Sequence, residues 1–545
     1  MSETYQLKHH PPSPPPSSEV TSPSITGGSG TNMRSGAATM PSASQPTERL
    51  VSLDAYRGFI MILLAASGFG IASFAKLPQE AAVWHRPDSA GVVATDELAK
   101  SRKDSWSEVA FHFNHPNWRS DFLPYRTDEP DAASQWFRVG VSGWDLIQPA
   151  FMFMVGVAMP FSYRRRNALG ESPGRRTFHA LARSLILVLM GVFLYSIGKG
   201  RTNWIFPNVL AQIGLGYFFV YLLLGRRWWI QLVSIAVILG GTCYFMQAGY
   251  WRWTGTPVPN GQYDFAAVNA SVERGEVLEG RFAPWSKNDN AFHYFDLWLL
   301  NLLRDSNGEA MTAWRDDIEQ AAIDGRSLSL VDCGRLAIRR TFFADTEPFI
   351  KNSGGYQTLN FVPSMATMLL GVLMGQLLMS DFGSSRKLLY LFLAGLACLI
   401  LGRILGNYVC PVVKRIWTPS WALLSGAYVI WMLGLFYLLF DLLPLRRLAI
   451  PLTIVGMNSI AMYLMGQLFQ RFVSGTPGDP ENPGVVGTHL TGLIETVLRT
   501  DPVFHGRFYL LHDDMFGRMI APTATLLVFW CITLWMYRRR IFLRI

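Results

Sequence analysis

Apolar runs of near twenty residues alternate with short arginine-rich turns along most of this chain. The first run spans Leu53 to Phe74, and others centre on Phe153, Leu189, Tyr217, Ala236, Leu369, Leu396, Tyr428, Ala461 and Phe529. Each is close to the ~20 residues that carry a helix across a hydrocarbon core. The pattern predicts an all-α polytopic membrane protein of about ten transmembrane helices. Three longer polar stretches, 76–142, 249–355 and 470–517, form the large loops between them. Glycines four apart in two runs, Gly371 with Gly375 and Gly402 with Gly406, predict helices that approach closely.

The cations assign the sides. Arg164–Arg166 with Arg175–Arg176, Arg226–Arg227, Arg386–Lys387, Arg446–Arg447 and Arg538–Arg540 fall on one set of turns. The opposite short turns hold chiefly Lys199, Arg201, Lys414 and Arg415. Short cytoplasmic loops carry the excess of Lys and Arg, so both termini are expected inside and the three large loops extracytoplasmic. A protein with bulky outer loops and minimal inner ones handles something at its outer face.

Composition agrees: 50% of residues are hydrophobic and 16% charged, with a mean hydropathy of +0.19, well below the charge content of soluble domains. The net charge of +9 follows the topology and implies no nucleic-acid partner. Residues 1–48, rich in Pro, Ser, Thr and Gly, are expected to be a disordered cytoplasmic tail that lacks the apolar core of a signal peptide. Residues 49–545 make up the transmembrane domain. The five cysteines are scattered without CxxC spacing, so no metal is expected. Cys333 and Cys410 share the outer side, which leaves a disulfide between them open.

The candidate chemistry lies between Phe111 and Arg166. FHFNHPNW holds His115 and Trp118, and GWDLIQPAFMFMVGVAMPFSYRRR opens a span with Asp145 and places Gln148 one turn further on. A charge at a span terminus needs a partner, and histidine is the commonest general base near neutrality. A His115–Asp145 pair would orient the imidazole and stabilise its cation. Asp54 and Arg57 share a helix face at the inner mouth of the first span. They read either as an interfacial ion pair, with Ser52 as N-cap, or as a phosphate site. Asn360, Asn458 and Ser459 sit in or beside apolar runs and must find hydrogen-bond partners, as interhelical bridges or as a polar substrate path.

Taken together, RLVSLDAYRGFIM, HPNW, WDLIQPAFMFMVGVAMPFS, FPNVLAQIGLGY, KRIWTPSWALLSG and GMNSIAMY resemble the heparan-alpha-glucosaminide N-acetyltransferase-like membrane acyltransferases, in particular their bacterial relatives. The resemblance covers nearly everything after Arg49. It implies an acetyl-CoA-dependent acyltransferase that serves an amino sugar or glycan across a membrane, with an essential histidine in a His-x-x-Trp pattern that His115 and Trp118 match. His115 would act as base or carry the acetyl group, with Asp145 beside it. Asp54 and Arg57 would meet the donor, and Trp118, Gln148, Asn458 and Ser459 the acceptor. The chain departs from the family in two places. Relatives often carry an Asn late in the first span, where Ser67-Gly68-Phe69 stands here. Residues 119–142 also separate the histidine from the acid.

A bacterial inner membrane suits these features, and a homodimer is compatible with them. Two rivals stand beside this reading. One is a glycan or small-molecule transporter, against which the lack of an internal repeat weighs. The other is a polysaccharide O-acetyltransferase.

Overall fold

Glycine decides how closely this bundle can pack. In the computed structural model, which describes residues 50–81, 94–115, 140–199, 201–253, 264–302, 347–475 and 516–543 with scattered positions between, every regular element is a helix. The expected tail 1–48 and most of 120–139, 305–346 and 476–515 lie outside the described residues. Leu50–Ile545 forms one compact unit.

In chain order the described helices of eight or more residues are α1 (Val51–Ala65), α2 (Asp96–Phe111), α3 (Gly143–Ala168), α4 (Pro173–Ser196), α5 (Val209–Leu223), α6 (Trp228–Trp253), α7 (Ala291–Asn301), α8 (Phe361–Met379), α9 (Ser384–Tyr408), α10 (Pro419–Tyr437), α11 (Ile450–Met457), α12 (Ser459–Leu468) and α13 (Ala521–Arg538). Seven helices are long and apolar enough to cross a membrane, or nine if each of two bent pairs is one span. The bends are 44° after α1, at Ser67–Gly70, and 65° between α11 and α12, at Asn458. The run around Tyr217 is α5, only 15 residues long. All ten apolar runs are therefore helical, but helix breaks and the short α5 set the count of long crossings at seven to nine among the described residues.

Two layers are distinguished by burial. The apolar window of α8 is 72% buried within the protein and that of α9 only 22%. With α3 and α10, α8 forms the inner layer, while α4, α6 and α9 turn apolar side chains outward, as lipid-facing helices do. The inner layer closes through glycine: a Cβ on Gly371 would lie 2.1 Å from the Phe153 carbonyl oxygen, and one on Gly156 2.0 Å from that of Met368. The α1–α11 pair closes the same way, at Gly58 against Leu452 and Gly456 against Asp54. These contacts settle the antiparallel register of α1 and α11 and put Asp54 and Asn458 at the same end of the bundle.

One local expectation is corrected. Ser52 does not cap α1, whose N-cap is Leu50 without a side-chain bond. Instead the Asp441 carboxylate, beyond α10, accepts from the N–H groups of Val51 (2.9 Å) and Ser52 (3.3 Å). A carboxylate from elsewhere in the chain satisfies the positive end of the helix.

Candidate functional site

Ser142, extended at φ −80°, accepts from the Asp145 N–H at 3.1 Å and starts α3. Asp145 thus sits in the first turn, where the helix dipole favours an anion. The bulky segment 119–142 does not separate it from His115. The imidazole Nδ1 stands 2.7 Å from Asp145 Oδ1. A carboxylate only accepts, so Nδ1 donates. Among the described residues both side-chain polar contacts of the ring are made through Nδ1, and 40% of the side chain is exposed. The indole of Trp144 stands edge-on to the ring at 6.5 Å.

A third group joins the pair. Lys414 Nζ donates to Asp145 Oδ1 at 2.9 Å and lies 3.3 Å from His115 Nδ1. The side chains of Asp145 and Lys414 are 3% and 6% exposed. This lysine comes from 269 residues further along the chain. The only sequence signal was a pair of cations in an otherwise apolar outer turn, KRIWTPSW.

Trp118 is buried and donates its indole N–H to the Trp285 carbonyl at 3.0 Å. It packs with Trp285, Phe292, Cys410, Val413 and Ile416 in a small core separate from the main one. It forms the floor under the site rather than a lining that offers its N–H outward. Gln148 is half-buried, one turn along α3 from Asp145. Asn458 and Ser459 are not brought to this site. The Asn458 side chain bonds the Ile541 carbonyl (3.1 Å) and the Leu543 N–H (3.2 Å), pinning the chain after α13. It stands at the Asp54 end of α1, ~21 Å of helix from the histidine end. An amide so placed cannot reach a developing oxyanion beside His115. Asp54 and Arg57 pair with each other at 3.9 Å at that same far end.

Just after α1, four consecutive residues, Ser67 to Gly70, adopt left-handed φ between 46° and 70°. Such strain, about 1–2 kcal/mol for each non-glycine, marks a constrained position. It brings Gly68 against Phe113 and Trp144, with a would-be Cβ 3.0 and 3.2 Å away, and lets Gln470 Nε2 donate to Ser67 Oγ.

Two cavities flank the bundle. One, of about 690 Å³, is lined by Tyr163, Arg164, Asn167, Arg176, Tyr221 and Arg226 among others. Arg164 follows Asp145 on α3 at a distance of ~28 Å along the axis, close to the thickness of a hydrocarbon core. The arginines that gave the topology signal therefore also gather around a cavity. The Nε of Arg176 is buried without a described acceptor. The second cavity, of about 530 Å³, is lined by Lys199, Arg201, Arg304 and Lys351 with Glu347, Tyr195 and Tyr356. Its wall at Gly354 accepts from Arg415 at 3.5 Å, the neighbour of Lys414, and Gly355 abuts Trp118. Next to this wall, burial pushes the Asp296 carboxyl up to about 7, against the opposing effect of the Thr358 N–H donated at 2.9 Å. Burial also lowers His293 to about 4. None of the cysteines forms a disulfide; Cys410 lies buried, its thiol donating to Ser420 Oγ at 3.5 Å, and is not bridged to Cys333.

A helical integral membrane protein with a His–Asp–Lys cluster at one end and a cationic cavity at the other is the class these features define. Residues 115–268, under a third of the chain, match the family described as Heparan-alpha-glucosaminide N-acetyltransferase, catalytic. The match begins at His115 itself and supports the acyltransferase resemblance carried by the motifs. Comparison with curated proteins gives no match.

Proposed function

We propose that the chain transfers an acetyl group from acetyl-CoA, bound by its phosphates at the Arg164 end, to an amino sugar or glycan at the His115 end. The observation that carries this reading is the 2.7 Å contact between His115 Nδ1 and Asp145 Oδ1, at the first residue of the family match. With Nδ1 donating, the lone pair is on Nε2. That nitrogen takes a proton from the acceptor amine as its nitrogen attacks the thioester carbonyl. The C–N bond forms, the C–S bond breaks, and the imidazolium returns the proton to the leaving thiolate. Asp145 stabilises the imidazolium in between.

Arg164, Arg176 and Arg226 suit phosphate, since guanidinium groups match its geometry and the buried Arg176 Nε has no acceptor among the described residues. This replaces Asp54 and Arg57 as the donor site, because those two neutralise each other. The cavity with Lys199, Arg201, Arg304 and Lys351 suits an acceptor that carries anionic groups. The charge bias supports a cytoplasmic side for the Arg164 end and both termini, and the membrane of this reading is a bacterial inner one. The ~28 Å of α3 between Asp145 and Arg164 accounts for an embedded enzyme, with the arm of the donor reaching from the Arg164 cavity into the bundle.

The test is transfer from radiolabelled acetyl-CoA by purified protein in detergent to amine and hydroxyl acceptors. His115→Ala, with its elution profile unchanged, should lose about 10²- to 10⁴-fold in rate. Undiminished transfer would remove His115 from the chemistry.

A further inference from the structure

We propose that Lys414 is the positioning residue that holds His115 in its neutral Nδ1–H form, both by occupying the Asp145 carboxylate and by setting a cation beside the ring. The proposal rests on reading His115 as the base, but it concerns a different residue and has its own readout.

Lys414 Nζ, Asp145 Oδ1 and His115 Nδ1 form a triangle with sides of 2.9, 2.7 and 3.3 Å. An ammonium has donors only and a carboxylate acceptors only, so Nζ and Nδ1 both donate into the same oxygen. That assigns the ring hydrogen to Nδ1 and the lone pair to Nε2. If Asp145 stood alone against the ring, its charge would favour the imidazolium. A cation 3.3 Å from the ring opposes that protonation. Lys414 and Asp145 are both nearly fully buried, so solvent and salt screen them little.

The turn that delivers Lys414 is rigid. Thr418 N–H reaches the Val413 carbonyl at 3.1 Å, and Trp417 N–H the Lys414 carbonyl at 2.9 Å. Trp417, at φ +49°, anchors its indole on Thr367 Oγ1 at 3.2 Å. Cys410, Val413 and Ile416 are buried against Trp118. Among the described residues, the charged groups in contact with His115 are thus Asp145 from α3 and Lys414 from this turn. Arg415 is directed to the Gly354 carbonyl, Lys287 is neutralised by Glu276 at 2.7 Å, and His112 closes α2 and gives its carbonyl to the Trp144 N–H.

Diethyl pyrocarbonate modifies only neutral imidazole, and its pH dependence at His115 can be followed by peptide mass spectrometry on the full chain in detergent, without any turnover. Lys414→Met should raise the midpoint of His115 modification by about one pH unit or more, and the acidic limb of the transfer profile should move with it. Lys414→Arg should hold both near the wild-type position. A midpoint in Lys414→Met equal to wild type would overturn the proposal, because a merely structural lysine would lower the plateau without moving the limb. Should Lys414→Met not fold, the Asp145→Asn/Lys414→Met pair, which leaves no lone buried charge, is compared with Asp145→Asn. The midpoint must rise when Lys414 is lost in that background too, and an unchanged value would sink the idea. His115→Ala retaining transfer would refute the base reading while leaving the labelling result standing.

Discussion

At the scale of single residues, burial decides which ionisable groups respond to pH. Asp296 on α7 has one carboxylate oxygen on the Thr358 N–H and the other buried without a described partner. Its carboxyl is raised to about 7, while an unfolded Asp titrates near ~3.9. The native state then binds more protons than the unfolded state between these values, so stability falls as pH rises through that window. The favourable contribution is fully present below about pH 4 and lost by about pH 7. Thermal unfolding in detergent should show a lower midpoint at pH 8 than at pH 5, with Asp296→Asn flattening the difference. The same residue scale separates Asp145 from Asp54: the first has a histidine and a lysine on one oxygen, the second an arginine one turn along its own helix.

At the scale of elements, helix pairs are fixed by glycines whose neighbours are backbone atoms. Replacing Gly by Ala inside a helix ordinarily gains up to about 1 kcal/mol in propensity. At Gly371 the added methyl would meet the Phe153 carbonyl at 2.1 Å, and a backbone carbonyl cannot rotate away as a side chain can. Overpacking of this kind costs about 1–3 kcal/mol, so Gly371→Ala should lower the unfolding temperature. Gly240→Ala on α6, where nothing lies within 4 Å, should leave it unchanged or raise it. Equal behaviour of the two variants would show that α3 and α8 are not held by this contact. The breaks at Ser67–Gly70 and Asn458 act at the same scale, one turning the end of α1 onto Trp144, the other receiving the chain after α13.

At the scale of the whole molecule, the Arg164 cavity and the His115–Asp145 contact lie toward opposite ends of α3. Arg164 and Arg226 are topology markers that also line one of them. Arg164→Gln with Arg226→Gln should raise the KM for acetyl-CoA about tenfold or more, since each lost charge-assisted phosphate contact is worth about 1.5–3 kcal/mol. The effect on kcat should be small, because the acid–base cluster lies ~28 Å away along the helix. An initial-rate titration of acetyl-CoA at fixed acceptor checks this, and an unchanged KM would move the donor elsewhere.

The sequence by itself determined the membrane class and the positions of the apolar helices, and marked Gly371, Gly375, Gly402 and Gly406 for close approach and His115 and Asp145 as candidates. Those features are local: apolar length, periodicity and residue type suffice to specify them. Tertiary structure alone decided that the segment between His115 and Asp145 leaves them in contact, that Lys414 completes the cluster, that Asp441 caps α1, and that Asn458 is committed to the far end of the bundle. Each of these joins residues tens to hundreds of positions apart. No pattern along a single chain records which ends of its helices pack side by side, because that is settled by the packing of the whole bundle.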